Sequence, residues 1–332
     1  MSMNLITDVC GVSVGHATDF ALGSGVTAIV FAAPAVASVA VTGGAPGSRD
    51  TDMLSPESTV DKVDAIVLSG GSVFGLDGAG GVLAALREAG RGLMFGPLRL
   101  PIAPGAIIFD LANGGDKNWG RFAPYRELGY AAATDVSNGT FSLGTVGAGT
   151  GATTATVKGG LGSASDVTPA GHTVGAIVVV NALGAATIGE GPHFWAAPFE
   201  RGGEFGGRGW PATITRHDTA LRTKGRPTPA TTIGLVVTDA ALSKSQAKRL
   251  AIMAHDGLAR AVLPAHAPMD GDTIFAAATG ARPLGDPLRE LTELGHSATL
   301  TMARAIARGV FSATALLVGG AQPSWQDRFG TG

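Results

Sequence analysis

Glycine sets the first constraint on this fold: 51 of the 332 residues lack a side chain, many of them in adjacent pairs. Such a count can accompany disorder, but here Val, Ile, Leu and Ala fill the intervals, and hydrophobic residues make up 45% of the chain. Gly beside Ala lets backbone pack on backbone, and glycine supplies positive φ where turns need it. With aromatics at only 6%, the core has to be built from small aliphatic side chains. A chain of this length carries enough apolar material for one large core or two smaller ones. No linker marks a boundary between domains.

The charge is nearly balanced, with 24 Lys and Arg against 26 Asp and Glu. Binding a polyanion usually needs a clustered excess of basic residues, so a nucleic-acid partner is not expected. The densest basic stretch, Arg216 to Arg226, reads as a solvated loop. Cys10 is the sole cysteine, which rules out an intramolecular disulfide and fits a reducing compartment. The opening residues lack a basic segment followed by an apolar run, and no apolar run reaches the length of a membrane span. A soluble, cytoplasmic protein without a membrane partner is expected.

Short runs rich in β-branched residues recur at Val26 to Phe31, Val36 to Thr42, Ala65 to Leu68, Thr173 to Asn181 and Thr232 to Thr238. Helices are expected at Gly75 to Glu88, after Asp239, and from Ser297 to Arg308. The second is the clearest. Ser243 and Gln246 form a capping-box pair, an apolar stripe runs from Ala247 to Ala261 at helical spacing, and Pro264 stops it. Ala197 to Pro229 differs in character, with GGEFGGRG, many charges and the prolines Pro198, Pro211, Pro227 and Pro229. It reads as a long exposed segment running into the apolar strand at Thr231, a place where a chain can be cut without disturbing its fold.

Several patterns resemble motifs but lack their context. Gly147 to Ala152 fits a loose dinucleotide loop without a clear strand before it or an acidic residue at the right distance after it. Gly151 to Lys158 has Val157 where a phosphate-binding loop needs glycine, and Gly70-Gly71-Ser72-Val73-Phe74 lacks the second glycine of a nucleophile elbow. His266 with Asp270 and Asp272 is too sparse for a metal site. No metal or cofactor is expected.

Two segments are more specific. One is Ala230-Thr231-Thr232-Ile233-Gly234-Leu235-Val236-Val237-Thr238-Asp239. The other is His266-Ala267-Pro268-Met269-Asp270-Gly271-Asp272-Thr273, followed by Ala278-Thr279-Gly280. Together with Gly43 to Asp52 and Leu68 to Ser72, they give a resemblance that extends over nearly the whole chain. The sequence resembles the self-processing, N-terminal-nucleophile family of L-aminopeptidase/D-amidase-esterases, β-peptidyl aminopeptidases and 6-aminohexanoate-oligomer (nylon oligomer) hydrolases. Thr231 and the Asp-Gly-Asp-Thr turn bring it nearest the nylon-oligomer branch.

The resemblance implies an α+β fold, an αββα sandwich of antiparallel sheets between helical layers. It also implies a precursor, a single hydrolase domain over 1–332, cut between Ala230 and Thr231 into fragments 1–230 and 231–332. These fragments would stay together and assemble into a homo-oligomer such as a tetramer. Thr231 would be the catalytic nucleophile. Lys158 would lower the pKa of the nucleophile, and Asn181 would help form the oxyanion hole. Asp270 and Asp272 would orient the Thr231 hydroxyl and α-ammonium. The implied activity is amide hydrolysis of short peptides or linear amides through an acyl-threonine ester. The same ester would allow acyl transfer to an amine. Related enzymes of this branch carry Asn where this chain has Ala230, so an uncut and catalytically weak protein is a further reading. The physical rationale for the cut is that a threonine hydroxyl needs a nearby base, and freeing its own α-amino group supplies one with a pKa near 8.

Overall fold

The computed structural model describes residues 2–225 and 229–330. In chain order the strands are β1 (Val12–Asp19), β2 (Ser24–Val41), β3 (Ser48–Arg49), β4 (Lys62–Ser69), β5 (Leu93–Phe95), β6 (Leu98–Leu100), β7 (Gly105–Ile107), β8 (Gly160–Val167), β9 (Thr173–Asn181), β10 (Thr231–Ala240) and β11 (Thr273–Arg282). The helices are α1 (Gly78–Glu88), α2 (Tyr125–Thr134), α3 (Lys244–Ala261), α4 (Pro287–Phe311) and α5 (Trp325–Phe329).

The expected strands at Val26 to Phe31 and Val36 to Thr42 are the two halves of one strand, β2. Its exposed middle, Ala32 to Pro34, is where the strand leaves one sheet for the other, and its register with β4 shifts between Val30 and Ala35. A proline is tolerated there because it falls at an irregularity rather than inside a regular ladder. The first half pairs with β1 and β4, and β4 continues to β7 and β3. The second half pairs with β11, and the order continues β10, β9, β8. Pairing is antiparallel except at β4–β7 and β10–β11, which are parallel and amend the expectation of purely antiparallel sheets.

Strand alternation then assigns the layers. Ile29, Phe31, Ile66 and Leu68 from the first sheet meet Ile177, Val179, Leu235 and Phe275 from the second, all buried. The outer face of the first sheet, through Val26, Ala28 and Val67, is covered by Val82 and Leu86 of α1 and Ala132 of α2. The outer face of the second, through Val178, Val236 and Ile274, is covered by Leu250 and Leu258 of α3 and Met302 of α4. This is the expected four-layer αββα arrangement. The glycines serve close approach, as their number suggested. A Cβ on Gly162 of β8 would stand 1.8 Å from the Ala305 carbonyl of α4, and one on Gly81 of α1 would stand 1.9 Å from the Arg126 carbonyl of α2.

Ser243 caps α3 through the expected reciprocal pair with Gln246. Helix α4 is longer than expected because it begins at Pro287, where Asp286 accepts from the Arg289 amide. Among its described residues the segment from Ala197 to Pro229 has no strand and is mostly exposed, as its composition suggested, but it is anchored at one point. Phe205 is buried edge-on to Phe194, and Glu204 is held by Arg304 and Arg308 of α4. Arg226 and Pro227, which belong to the expected basic stretch and exposed segment, lie outside the described residues. Among the described residues no helix is long and apolar enough to cross a membrane.

Candidate active site

All five candidate catalytic residues lie at one end of the second sheet. Thr231 opens β10 and sits directly opposite Asn181, the last residue of β9. Asp270 and Asp272 lie in the turn that leads into β11, and Ala230 forms a parallel bridge with Asp270. Lys158 precedes β8 and bridges back to Thr153. All five side chains are buried.

At the Ala230–Thr231 peptide, two donors converge on the Ala230 carbonyl. The Gly271 amide donates to it at 2.9 Å, and the Thr231 hydroxyl donates to it as well. Gly271 allows this approach because a Cβ there would lie 2.7 Å from Thr231 Oγ1 and 2.8 Å from the Ala45 carbonyl. Asp272 brackets the next peptide, with Oδ1 accepting from the Thr232 amide at 2.8 Å. Its Oδ2 accepts from the His266 amide at 2.9 Å and lies 2.8 Å from His266 Nδ1. Asp270 accepts from the amides of Leu183 and Ala267. Burial and the neighbouring Asp272 charge push Asp270 up to about 6. Among the described residues, then, the Thr231 hydroxyl bonds to the peptide before it, and the two aspartates hold the surrounding backbone.

The Asn181 side chain is orientated without ambiguity. Its Oδ1 faces two obligatory donors, the Thr153 amide at 3.0 Å and Lys224 Nζ at 2.8 Å, so its Nδ2 must be the atom that donates to the Phe109 carbonyl at 3.1 Å. Lys158 donates to the carbonyls of Gly149 and Gly159 at 3.1 and 2.8 Å. Burial pulls it down to about 7, partly offset by the Asp110 charge. Lys224 is also pulled to about 7 by burial.

Beside this cluster lies a cavity of about 330 Å³ lined by Asp110, Asn113, Thr153, Lys158, Lys224 and Pro229, among others. Asp110 follows β7, so the cavity lies where the ends of the two sheets meet. Its carboxylate accepts from the Ser24 hydroxyl at 2.6 Å and the Gly71 amide at 2.7 Å, and burial raises its pKa. The Gly70-Gly71 pair, set aside as an incomplete elbow, thus supports a carboxylate. Gly149 and Gly151, from the loose dinucleotide pattern, serve the lysine and the cavity wall. Sequence reading passed over Asp110, Lys224 and the Gly271 amide. Only Gly271 left a signal, as the small residue between two aspartates.

Comparison with known proteins places the chain in a family. The profile of peptidase family S58 matches residues 4–322. An uncharacterized aminopeptidase of Mycobacterium tuberculosis is 41% identical, with 98% of each chain covered. A 6-aminohexanoate-oligomer endohydrolase of Paenarthrobacter ureafaciens is 28% identical over 82% of this chain and 74% of its own. Among solved structures, a Burkholderia sp. beta-aminopeptidase superposes with a TM-score of 0.72 at 24% identity, covering 99% of this chain and 92% of its own. The L-aminopeptidase D-Ala-esterase/amidase of Ochrobactrum anthropi, described as a variant of the Ntn hydrolase fold, gives 0.70 at 21%, covering 98% and 91%. The fold follows from the superpositions, and the family match with the 41% identical relative makes this chain a member of peptidase family S58, a hydrolase of the peptidase/amidase type.

Proposed function

We propose that the chain is a self-processing amide hydrolase that cuts its own Ala230–Thr231 bond and then uses Thr231 as nucleophile on short peptides or linear amides. The observation that carries this reading is the convergence of the Thr231 hydroxyl and the Gly271 amide on the Ala230 carbonyl. One is the attacking group, and the other is a donor aimed at the oxygen that becomes negative. In the cut, Thr231 Oγ adds to the Ala230 carbonyl carbon and the C–N bond breaks. The hydroxyl proton passes to the departing nitrogen, leaving Ala230 esterified to Thr231. Water then hydrolyses the ester and frees both the Ala230 carboxylate and the hydroxyl. The small Ala230 side chain leaves room for the attack.

The freed α-amine takes the hydroxyl proton when Thr231 attacks a substrate amide, and returns a proton to the leaving amine. Lys158, with its pKa near neutrality, supports a charge beside the nucleophile. Asn181 keeps a second amide hydrogen for the developing oxyanion. The cavity is of a size suited to one end of a small linear substrate. After the cut, fragment 231–332 remains joined to the rest because β10 is paired with β9 and β11 with β2.

The test is the denatured mass of freshly purified and of incubated protein, followed by hydrolysis of a short amide with no acceptor amine present. Two species matching 1–230 and 231–332, with turnover, support the proposal. One chain that stays intact for days, with no turnover, sinks it. Turnover only when an amine is added would assign acyl transfer instead.

A further inference from the structure

The candidate chemistry leaves a second cluster unused. It joins the end of β2, helix α3 and the turn before β11. Thr42 Oγ1 lies 3.0 Å from His255 Nδ1 and 2.9 Å from His266 Nδ1, and the two rings meet edge to face at 5.1 Å. His266 Nδ1 is also 2.8 Å from Asp272 Oδ2.

The protons in this chain can be assigned from the fixed acceptors at its ends. His255 Nε2 faces the Ala40 carbonyl at 2.9 Å and must donate, which leaves its Nδ1 to accept. The Thr42 hydroxyl therefore donates to His255. Thr42 Oγ1 is then an acceptor towards His266, and so is the Asp272 carboxylate. Both demand that His266 carry its proton on Nδ1. The ring is thus a donor held between a hydroxyl and the carboxylate that brackets the peptide after Thr231.

The backbone points the same way. His266 has φ of +58°, a left-handed value uncommon outside Gly, though His, Asn and Asp take it more often than other residues. In this conformation both its amide and its ring reach the same oxygen of Asp272. Backbone strain of this kind persists where surrounding contacts over-determine it.

We infer that His266 is a positioning residue for the reaction at Thr231, acting through Asp272. This role rests on the reading of Thr231 as nucleophile. His266 fixes which Asp272 oxygen faces the Thr232 amide and stabilises the charged carboxylate by donating to it. The titratable groups around it are Asp270 and Asp272 on its own turn and His255 and Asp256 on α3, with Lys224 reaching Asp270 from the segment before Thr231.

The experiment compares His266→Gly with His266→Asn in the full-length chain, beside Thr231→Ala. Gly and Asn both accept the left-handed backbone, so the pair isolates the side chain, and Asn returns an N–H donor at about the reach of Nδ1. Self-cleavage is followed by denatured mass, and kcat and KM for a short amide are measured on the cut fraction. His266→Gly is expected to lower kcat by about tenfold to a hundredfold, the worth of one hydrogen bond to a charged group, with little change in KM. His266→Asn is expected to restore the rate.

Wild-type kcat in His266→Gly would overturn the inference. So would a loss that Asn fails to restore, or one that falls on KM with kcat intact. Should His266→Gly fail to fold, Thr42→Val removes the hydroxyl on the other side of the ring and should lower kcat by less. Wild-type kcat there would also overturn the inference. Thr231→Ala separates the two levels: wild-type hydrolysis in that variant refutes the nucleophile, whereas failure of the His266 variants alone leaves it standing.

Discussion

Gly271→Ala probes the centre of the site with a single methyl group. The new Cβ would lie 2.7 Å from Thr231 Oγ1, 2.8 Å from the Ala45 carbonyl and 3.1 Å from Thr231 Cγ2. Gly271 is not in a left-handed conformation, so alanine suits its backbone and the effect is steric. Backbone resists on one side, so the Thr231 side chain must yield, by roughly 0.7 Å to reach ordinary van der Waals contact. Overpacking of this kind costs about 1–3 kcal/mol of stability. Displacing a nucleophile by such a distance costs rate by up to about a hundredfold. The expected result is a folded protein with a modestly lower melting temperature and both the self-cut and amide turnover slowed by one to two orders of magnitude. Denatured mass over time and initial rates on a chromogenic amide read the two effects, with Gly319→Ala, whose Cβ would meet open space on a backbone that is not left-handed, as the steric control. Wild-type rates for both reactions in Gly271→Ala would refute the argument that the Thr231 hydroxyl must stay where it is.

Thr231→Ser is expected to retain cutting and turnover, and Thr231→Ala to lose both, by denatured mass and amide assay. Because burial pulls Lys158 down to about 7, the unfolded chain binds more protons than the folded one between that value and the ordinary lysine pKa. The burial penalty is therefore complete below about pH 7 and fades as pH rises. Any gain in melting temperature in Lys158→Met over wild type should accordingly shrink from pH 7 to pH 10, as scanning calorimetry can show. Arg304→Ala would leave Glu204 buried without its closest cation, 2.6 Å away. Denaturant unfolding should show a loss of about 3–5 kcal/mol, with the remaining folded protein still active.

The sequence carries the fold where local chemistry and final structure agree. Val174 to Val180 is a β-branched run between two helical layers and could hardly be anything but a buried strand. Ser243 and Gln246 mark the start of α3 because a capping box is a contact between near neighbours. Strands β1 and β8 went unread, since their glycines, serines and alanines lack β propensity and owe their state to β2, β9 and α4. Likewise Ala32 to Pro34 looks like the end of a strand but is a crossing between sheets. In the site, Thr231 and its partners came from resemblance over the whole chain, not from spacing. The contact between Thr42 and His266 spans 224 residues, so nothing local announces it.

The position of β10 has a consequence for how stability must be measured. In the intact chain the ladders of Thr231 to Thr238 with β9 and of Thr273 to Ala278 with β2 are intramolecular contacts. Once the bond before Thr231 is cut, the same hydrogen bonds join two molecules. Unfolding then releases two bodies where it formerly released one, and the melting temperature acquires a dependence on protein concentration that the precursor lacks. Refolding becomes a second-order encounter, slow enough for aggregation to compete, so the cut form is held together mainly by the height of its unfolding barrier. A dilution series, melting cut and uncut protein side by side, would therefore register molecularity: one curve drifting with concentration, the other fixed.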